Sequence, residues 1–410
     1  MPRFAHMSDL HLGSWKEQPM QLLNFKSFQK AIAKCLESKI DFVVISGDIF
    51  DTAYPSIEVL KEAFSEFKKL KEAGINCYLI AGSHDYSVSG KTFLDVLENA
   101  GLCKNVSDFE YIGENCEKIL LNPIIKQGVA FYGYPGKKSG MEINDLRKIR
   151  LNDAPGMFKI FLLHTTIDKA KGNIPVDSIS SEELPKADYY ALGHIHTDFQ
   201  YGNIVYPGPI FPNNFQELED LQQGSFYIVD TSKSNNPLEK VELRIKDIVR
   251  FDIEITNALT ATEKIISEIE KKDIKDKLVL LRIRGELEKG KNADIDYNKI
   301  TEKIIEKKAY FMLRNTHELK TKELEMDSEI KETDDAEYIE EETIKNYSKK
   351  NPSDFNHVIP QLMNVLSTDQ REGETKENFK NRISEEAKKI WSFNMKNETK
   401  KNYFGKYKKL

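Results

Sequence analysis

Five short apolar runs in the first half of the chain, FAHMSDLH, FVVISGDIFD, CYLIAGSHD, FKIFLLHT and YYALGHIH, each end on side chains that bind metals. Five of the eight histidines stand at these ends: His11, His84, His164, His194 and His196. Chance would scatter them. With Asp9 and Asp48, the histidines His11, His164, His194 and His196 make a set of two carboxylates and four imidazoles, which suits a pair of manganese, iron or zinc ions. No cysteine belongs to the set, so soft-metal and iron–sulfur sites are disfavoured. Two divalent ions roughly 3.5 to 4 Å apart can clamp a phosphate, generate hydroxide at neutral pH and stabilise both oxygens of an in-line displacement. Phosphoester hydrolysis follows as the reaction class.

The elements that must carry these residues are strands. Runs of four to seven residues rich in Val, Ile, Leu, Phe and Tyr read as strands buried on both faces, with their ends along one edge of a parallel sheet, where ligands of open α/β sheets collect. Asp9 and His11 are two apart, as are His194 and His196, and the two-residue period of a strand predicts that each pair points one way. His6, inside the first run, reads as a packed, hydrogen-bonded ring; His317 and His357 read as surface or packing residues.

Helical periodicity over residues 24 to 38, 56 to 73 and 92 to 100 separates the first strands, which makes residues 1–245 an α/β domain. Segments 119 to 134, 157 to 165, 188 to 194, 224 to 230 and 239 to 245 are strand-like with short connections and predict a second sheet packed on the first. Residues 246–320 read strand, helix, strand, helix, strand, a small α+β domain without a catalytic signature. Its NADIDYN stretch is not a calcium loop, because Lys299 replaces the turn glycine and the twelfth position lacks a glutamate. Ser89-Gly90-Lys91-Thr92 is likewise no phosphate-binding loop, since Asp85 stands where its first glycine is required.

Residues 321–350 are an acidic tether, with eleven acidic side chains against Lys331 alone between Glu323 and Glu342. In residues 351–396 two amphipathic helices are expected, one with Ile359, Leu362, Met363 and Leu366 on its apolar stripe, the other with Phe379, Ile383, Ala387, Ile390 and Trp391. A helix pair beyond such a tether buries little alone, so docking on a partner is the preferred reading. The tail, residues 397–410, interleaves lysines with Tyr403, Phe404 and Tyr407, a composition that could touch nucleic acid and is equally that of a solvated end.

Whole-chain properties bound the rest. At 410 residues the chain predicts two or three domains, and its formal charge of -6 argues against a uniformly basic nucleic-acid coat. No apolar run approaches the roughly 20 residues of a membrane span, and the first strand begins too early for a signal peptide. A cytoplasmic protein is expected. Cys35, Cys77, Cys103 and Cys116 show no CxxC pairing and read as reduced thiols.

In order and spacing, DLH, GDIFD, GSHD, the lone His164 and GHIH resemble the five motifs of the calcineurin-like metallophosphoesterases. The opening HMSDLHLG, the SGKTFLDVLENAGL after the third motif, YPGPI after GHIH and the overall layout are similar to the double-strand-break repair nucleases of the SbcD/Mre type. The resemblance implies a two-sheet sandwich flanked by helices, a capping domain over DNA and a helical partner-binding segment. It implies two divalent ions, manganese foremost: one held by Asp9, His11 and His196, the other by His164 and His194, with Asp48 as the bridge. His84 would serve the leaving oxygen and Asp51 would orient it, while Asp85 reads as a turn-capping carboxylate. Ser83 departs from the family, which has an asparagine there whose carbonyl ligates the second metal; Pro209 also departs, standing where a serine is usual.

The same resemblance implies DNA ends as substrate, exonuclease and endonuclease action, and a nucleoid-associated complex. The partner would be a separate coiled-coil ATPase of the SbcC, SMC-like type docked on residues 357 to 366 and 376 to 393. It further implies a homodimer through residues 56 to 73, with Leu60, Phe64 and Phe67 on one face, and 92 to 100; an ordinary core-facing helix carries the same stripe. The alternatives are a calcineurin-like phosphatase, which has no need of residues 249 to 410, and a DNA-end scaffold weakened by Ser83. Residues 249 to 320 carry sixteen Lys and Arg against fourteen Asp and Glu, so charge alone does not argue for DNA.

Overall fold

Strands of Val, Ile, Leu, Phe and Tyr without a polar face can only be covered on both sides, and two stacked sheets with outer helices satisfy that demand. The computed structural model describes residues 1–87, 90–113, 116–137, 142–172, 177–233, 237–321, 358–366, 368 and 378–390. Its first sheet holds Arg3–Met7, Phe42–Ser46, Asn76–Ile80 and Lys104–Asn105 in parallel, and extends antiparallel through Gly224–Asp230 to Leu238–Leu243. The second holds Val129–Tyr134, Phe158–His164, Tyr189–Gly193 and Ile204–Tyr206 in parallel, with Ile124–Lys126 and Phe199–Tyr201 antiparallel at its edges. Between them lies an aromatic-rich core in which Phe4, Phe42, Tyr78 and Phe131 stack or meet edge to face.

Two expectations need correction. The five motif strands do not share one sheet edge: three belong to the first sheet and two to the second, so the site lies where facing sheets meet. Segments 224 to 230 and 239 to 245 join the first sheet, not the second, because Tyr227 and Ile228 pair with His6 and Ala5. The second sheet's outer face is covered instead by a three-stranded sheet of Phe109–Ile112, Lys118–Leu121 and Ile149–Leu151, which supplies Ile119, Leu121 and Ile149 to its core.

Helices Gln18–Glu37, Ile57–Glu72 and Leu94–Asn99 cover the first sheet. The first begins six residues before its apolar period is legible, with Pro19 in its opening turn where the missing N–H costs nothing. In the second, Ser56 accepts the Val59 N–H and caps the start. Phe67 is completely buried in the sheet–helix core, and Leu60 and Phe64 pack partly buried against it. This corrects the dimer face at Phe67: a side chain with no exposed surface has none to offer a second copy. The exposed apolar residue of this helix is Ile57.

Ile248–Glu254, Leu278–Leu287 and Phe311–Asn315 form a parallel sheet crossed by helices Ala261–Glu270 and Tyr297–Glu306, in the order read from the sequence. Asp296 accepts the Lys299 N–H as a helix cap, which is the use of the NADIDYN stretch. Leu278, Leu280 and Leu313 pack against Trp15, Met20, Leu23 and Leu218, and contacts gather Met1–Arg284 with Ala293–Glu318 into one compact unit. A second unit comprises Gly285–Asn292 and Leu319–Leu410. There Leu319–Thr321 pairs with Gly285–Leu287, and helices span Ile359–Leu366 and 378–390. Leu362, Phe379, Ile383 and Ile390 are half-buried and Leu366 is exposed. The side chains of Ile359 and Met363, together with Trp391, residues 322–357 and the tail, lie outside the described residues. Among the described residues no helix is long and apolar enough to cross a membrane, and all four cysteines are free.

His6 is fully buried between the sheets, as expected of a packed ring. Ser46 donates its hydroxyl proton to the Ala191 carbonyl, so Nε2–H of His6 donates to Ser46 Oγ and Nδ1 accepts from Tyr189. Burial lowers this imidazole to about 3, against the Leu192 carbonyl that opposes the shift. The unfolded chain therefore takes up a proton below about pH 6.5 that the folded chain refuses, and stability is lost as pH falls from there toward 3. We expect urea unfolding to show about 1.4 kcal/mol of loss per pH unit in that window from this residue. His6→Gln should flatten the slope by that amount, and an unchanged slope would contradict it.

Candidate metal centre

Three of the motif strands stop short of the residues they deliver, while Phe158–His164 ends on His164 itself. Arg3–Met7, Phe42–Ser46 and Tyr189–Gly193 end before Asp9, His11, Asp48 and His194, each of which sits at positive φ (52°, 41°, 50° and 91°). The two-residue strand period is therefore not what pairs Asp9 with His11 or His194 with His196. Left-handed loops do so, and such backbone in non-glycine residues costs on the order of 1–2 kcal/mol each. Asp9 N–H donates to the Gly47 carbonyl and His11 N–H to that of Asp48, tying the first two loops together. The His194 N–H donates to both Asp9 oxygens at 3.0 and 3.2 Å, which ties in the loop from the second sheet.

Three imidazoles are locked in one tautomer. His11 Nδ1 faces Asp51 Oδ1 at 3.2 Å, His164 Nδ1 the Ser46 carbonyl at 2.9 Å, and His196 Nδ1 Glu217 Oε1 at 2.9 Å. Each partner can only accept, so each Nδ1 carries the hydrogen and each Nε2 turns inward. The inward atoms crowd together: His11 Nε2 is 3.2 Å from His196 Nε2 and 3.5 Å from Asp48 Oδ2, and His196 Nε2 is 3.7 Å from Asp9 Oδ1. His164 Nε2 is buried 3.1 Å from Asp48 Oδ2, yet not at a hydrogen-bonding angle. Lone pairs aimed at one another and at two buried carboxylates are the arrangement a cation resolves. Asp9, His11 and His196 make one convergent group, Asp9, Asp48 and His164 a second, and His11, Asp48 and His84 a third, each within 4.8 Å. The donors fit divalent ions.

Charge gives the same answer. Burial disfavours the Asp48 carboxylate, but the positive charges of His164 and His11 outweigh it and hold the group well below the ordinary range. Burial likewise pulls His164 down, and Asp48 with Asp9 overcomes it, pushing the ring up to about 10. His196 is raised to about 9, the pull of Glu217 and Asp9 exceeding the cost of burial. His194, between these groups, is lowered to about 4 by burial and by the charge of His164. His164 and His196 are thus held toward the charged form by the two buried carboxylates and Glu217.

Asp51 does not hold His84 through its carboxylate, which is taken by His11; its backbone carbonyl accepts from His84 Nδ1 at 2.8 Å. His84 is exposed, its ring 4.8 Å from that of His11, and its N–H donates to Asp48 Oδ1. Asp85 caps the turn, accepting the N–H groups of Ile49, Phe50 and Gly82, and is raised to about 7 by burial and the neighbouring Asp48. Ser83 lies half-buried in this turn. His194 stands beside His164 with ring centroids 5.1 Å apart, outside the three groups. Pro209 bridges to Ser8, next to Asp9. Gly82 must stay bare, because a Cβ would fall 2.1 Å from Asp48 Oδ1 and 2.3 Å from its nitrogen. Glu217 was not legible as a site residue, although Asn214-x-x-Glu217 has the form of a helix-capping box.

A family model described as calcineurin-like phosphoesterase matches residues 2–198, a span that contains all five motifs. That match places residues 2–198 among the calcineurin-like metallophosphoesterases, and the chain is a metal-binding hydrolase on that fold. Within them it is similar to the DNA double-strand break repair protein Mre11 of Methanocaldococcus jannaschii, with 29% identity over 72% of this chain and 76% of that one. The Mre11 protein of Archaeoglobus fulgidus is 27% identical over 69% of this chain and 68% of its own length. An uncharacterized metallophosphoesterase of Bacillus subtilis, YhaO, is 27% identical over 63% and 64%.

Because His164 and His196 carry protons below about pH 9, divalent metal must displace them on binding. Manganese titration at pH 7 in buffers of different ionisation enthalpy should show release of about two protons, with affinity rising with pH up to that range. Absence of proton release would contradict the assignment. Gly82→Ala should abolish tight metal binding, read by the same titration, because Asp48 cannot keep its place.

Proposed function

We propose that this protein is a metal-dependent DNA nuclease that processes the ends of double-strand breaks as exonuclease and endonuclease, together with a coiled-coil SMC-like ATPase. The inward convergence of His11, His164 and His196 on Asp9 and Asp48, with His84 beside them, carries the reading. The names of the archaeal relatives supply the substrate class. In this proposal Asp9, His11 and His196 hold one ion, His164 and His194 the other, and Asp48 both. Manganese is the favoured metal. Divalent ions in such a site offset phosphate charge and lower the pKa of water.

The chain's own residues divide the remaining work. Asp51, Glu217 and the Ser46 carbonyl orient the three rings. His84, its Nδ1–H given to the Asp51 carbonyl, keeps Nε2 for the substrate, where a protonated ring hands a proton to the leaving oxygen. Ser83 takes the place of the amide ligand of the family, so the second ion is held less tightly or through water. The helices Ile359–Leu366 and 378–390 are the proposed dock for the ATPase, and a homodimer, if formed, uses exposed residues such as Ile57 in place of Phe67.

His84→Asn should retain manganese and DNA binding while lowering cleavage of linear duplex by about 10²-fold or more; loss of metal in that variant would overturn its role. Ser83→Asn should tighten the weaker manganese site. A large gain of cleavage only in that variant would instead make the wild-type protein chiefly a DNA-end scaffold. DNA affinity should fall steeply with salt through release of counterions. A flat response, with hydrolysis of simple phosphomonoesters, would favour a phosphatase.

A further inference from the structure

We propose that Arg282, on the central strand of the small sheet, is a positioning residue for the metal ligand His196, acting through the short helix Phe215–Asp220 and its Glu217. The inference rests on the reading of the histidine and aspartate cluster as a metal centre. Six residues make less than two turns, too short to hold an orientation unaided. Contacts on three sides fix it. Leu218 is fully buried among Leu278, Leu280 and Leu313 of the small sheet and Trp15, Met20 and Leu23 of the larger domain. Glu217 faces the site, accepting from His196 Nδ1 at 2.9 Å, the Asn213 N–H at 2.8 Å and the Asn214 amide at 2.6 Å.

The third side is taken by Arg282. Its Nε and one terminal nitrogen grip the Glu219 carboxylate (2.5 to 3.2 Å), and that same terminal nitrogen donates to Gln216 Oε1 at 2.8 Å. The other terminal nitrogen donates to Glu318 at 2.5 Å, and the guanidinium lies 5.3 Å from the Phe215 ring centroid. Arg250 adds a bond to the Glu219 carbonyl. Both Arg282 and Glu219 side chains are only 12% exposed, so this forked pair is shielded from water and salt far more than a surface bridge. Residues 216, 217 and 219 thus hold one turn between a guanidinium on one side and a metal ligand on the other. Without the fork, Glu217 can drift, and the His196 ring loses the acceptor that aims its Nε2.

The test uses the full chain and manganese or cobalt alone. Glu217→Gln should weaken the more affected metal site about 10- to 100-fold, the usual cost of removing a carboxylate behind a metal-bound imidazole. Arg282→Met should weaken the same site about tenfold and shift the cobalt d–d absorption, and the double variant should lose no more than Glu217→Gln alone, because both act on one ring. Arg282→Lys keeps the charge without the planar fork and should fall between, which covers the case in which Arg282→Met fails to fold. Full metal affinity and an unchanged cobalt spectrum in folded Arg282 variants, or additive losses in the double variant, would overturn the proposal. A wild-type protein that binds no divalent metal would instead defeat the underlying reading.

Discussion

Two buried carboxylates that must be met by hydrogen-bond donors and positive charge govern this structure. Asp9 and Asp48 are almost wholly removed from water, and an isolated ionised carboxylate there would be prohibitive. Backbone amides satisfy part of the demand: both Asp9 oxygens accept the His194 N–H and one Asp48 oxygen accepts that of His84. The rest falls on imidazole. Each of three rings is turned by an acceptor behind it, so what faces the carboxylates is always Nε2. The loops, their strained backbone and the glycines beside them are consequences of fitting so many donors around so little volume.

Much of this was legible in the sequence, for a physical reason. A strand buried on both faces is a continuous apolar run, so a charged or ligating residue at its end stands out against a silent background. The candidate ligands were read that way, as was the buried His6. Their geometry was less legible, because a two-residue spacing says nothing about whether the strand continues through it. Here it does not. Asp9 and His11 converge through left-handed turns, which a one-dimensional pattern of apolar residues cannot encode.

What was misread or missed depends on contacts between distant segments. Asp51 is expected from the sequence to orient His84 through its carboxylate, yet that carboxylate reaches His11 while its backbone carbonyl takes His84. A sequence motif names the residue without saying which of its oxygens acts. Glu217 lies in a polar stretch after the last motif, and its role exists only because His196, 21 positions earlier, folds over it. The apolar stripe at Leu60, Phe64 and Phe67 could face a core or a partner, and burial decides for the core at Phe67. The strand–helix alternation of the small sheet was readable because its periods switch cleanly from two to 3.6.

The bond from His164 to the Ser46 carbonyl crosses from one sheet to the other, as do those of Ser46 to Ala191 and His6 to Tyr189. The candidate ligands are split the same way, with Asp9, His11 and Asp48 after strands of the first sheet, His164 at the end of a strand of the second and His196 after another. Any ion bound there fastens the two layers at that end. Its binding free energy is then also cohesion between the layers. Catalytic competence and the integrity of the sandwich become two readings of one equilibrium, and loss of metal should be felt first as a loosening along that seam.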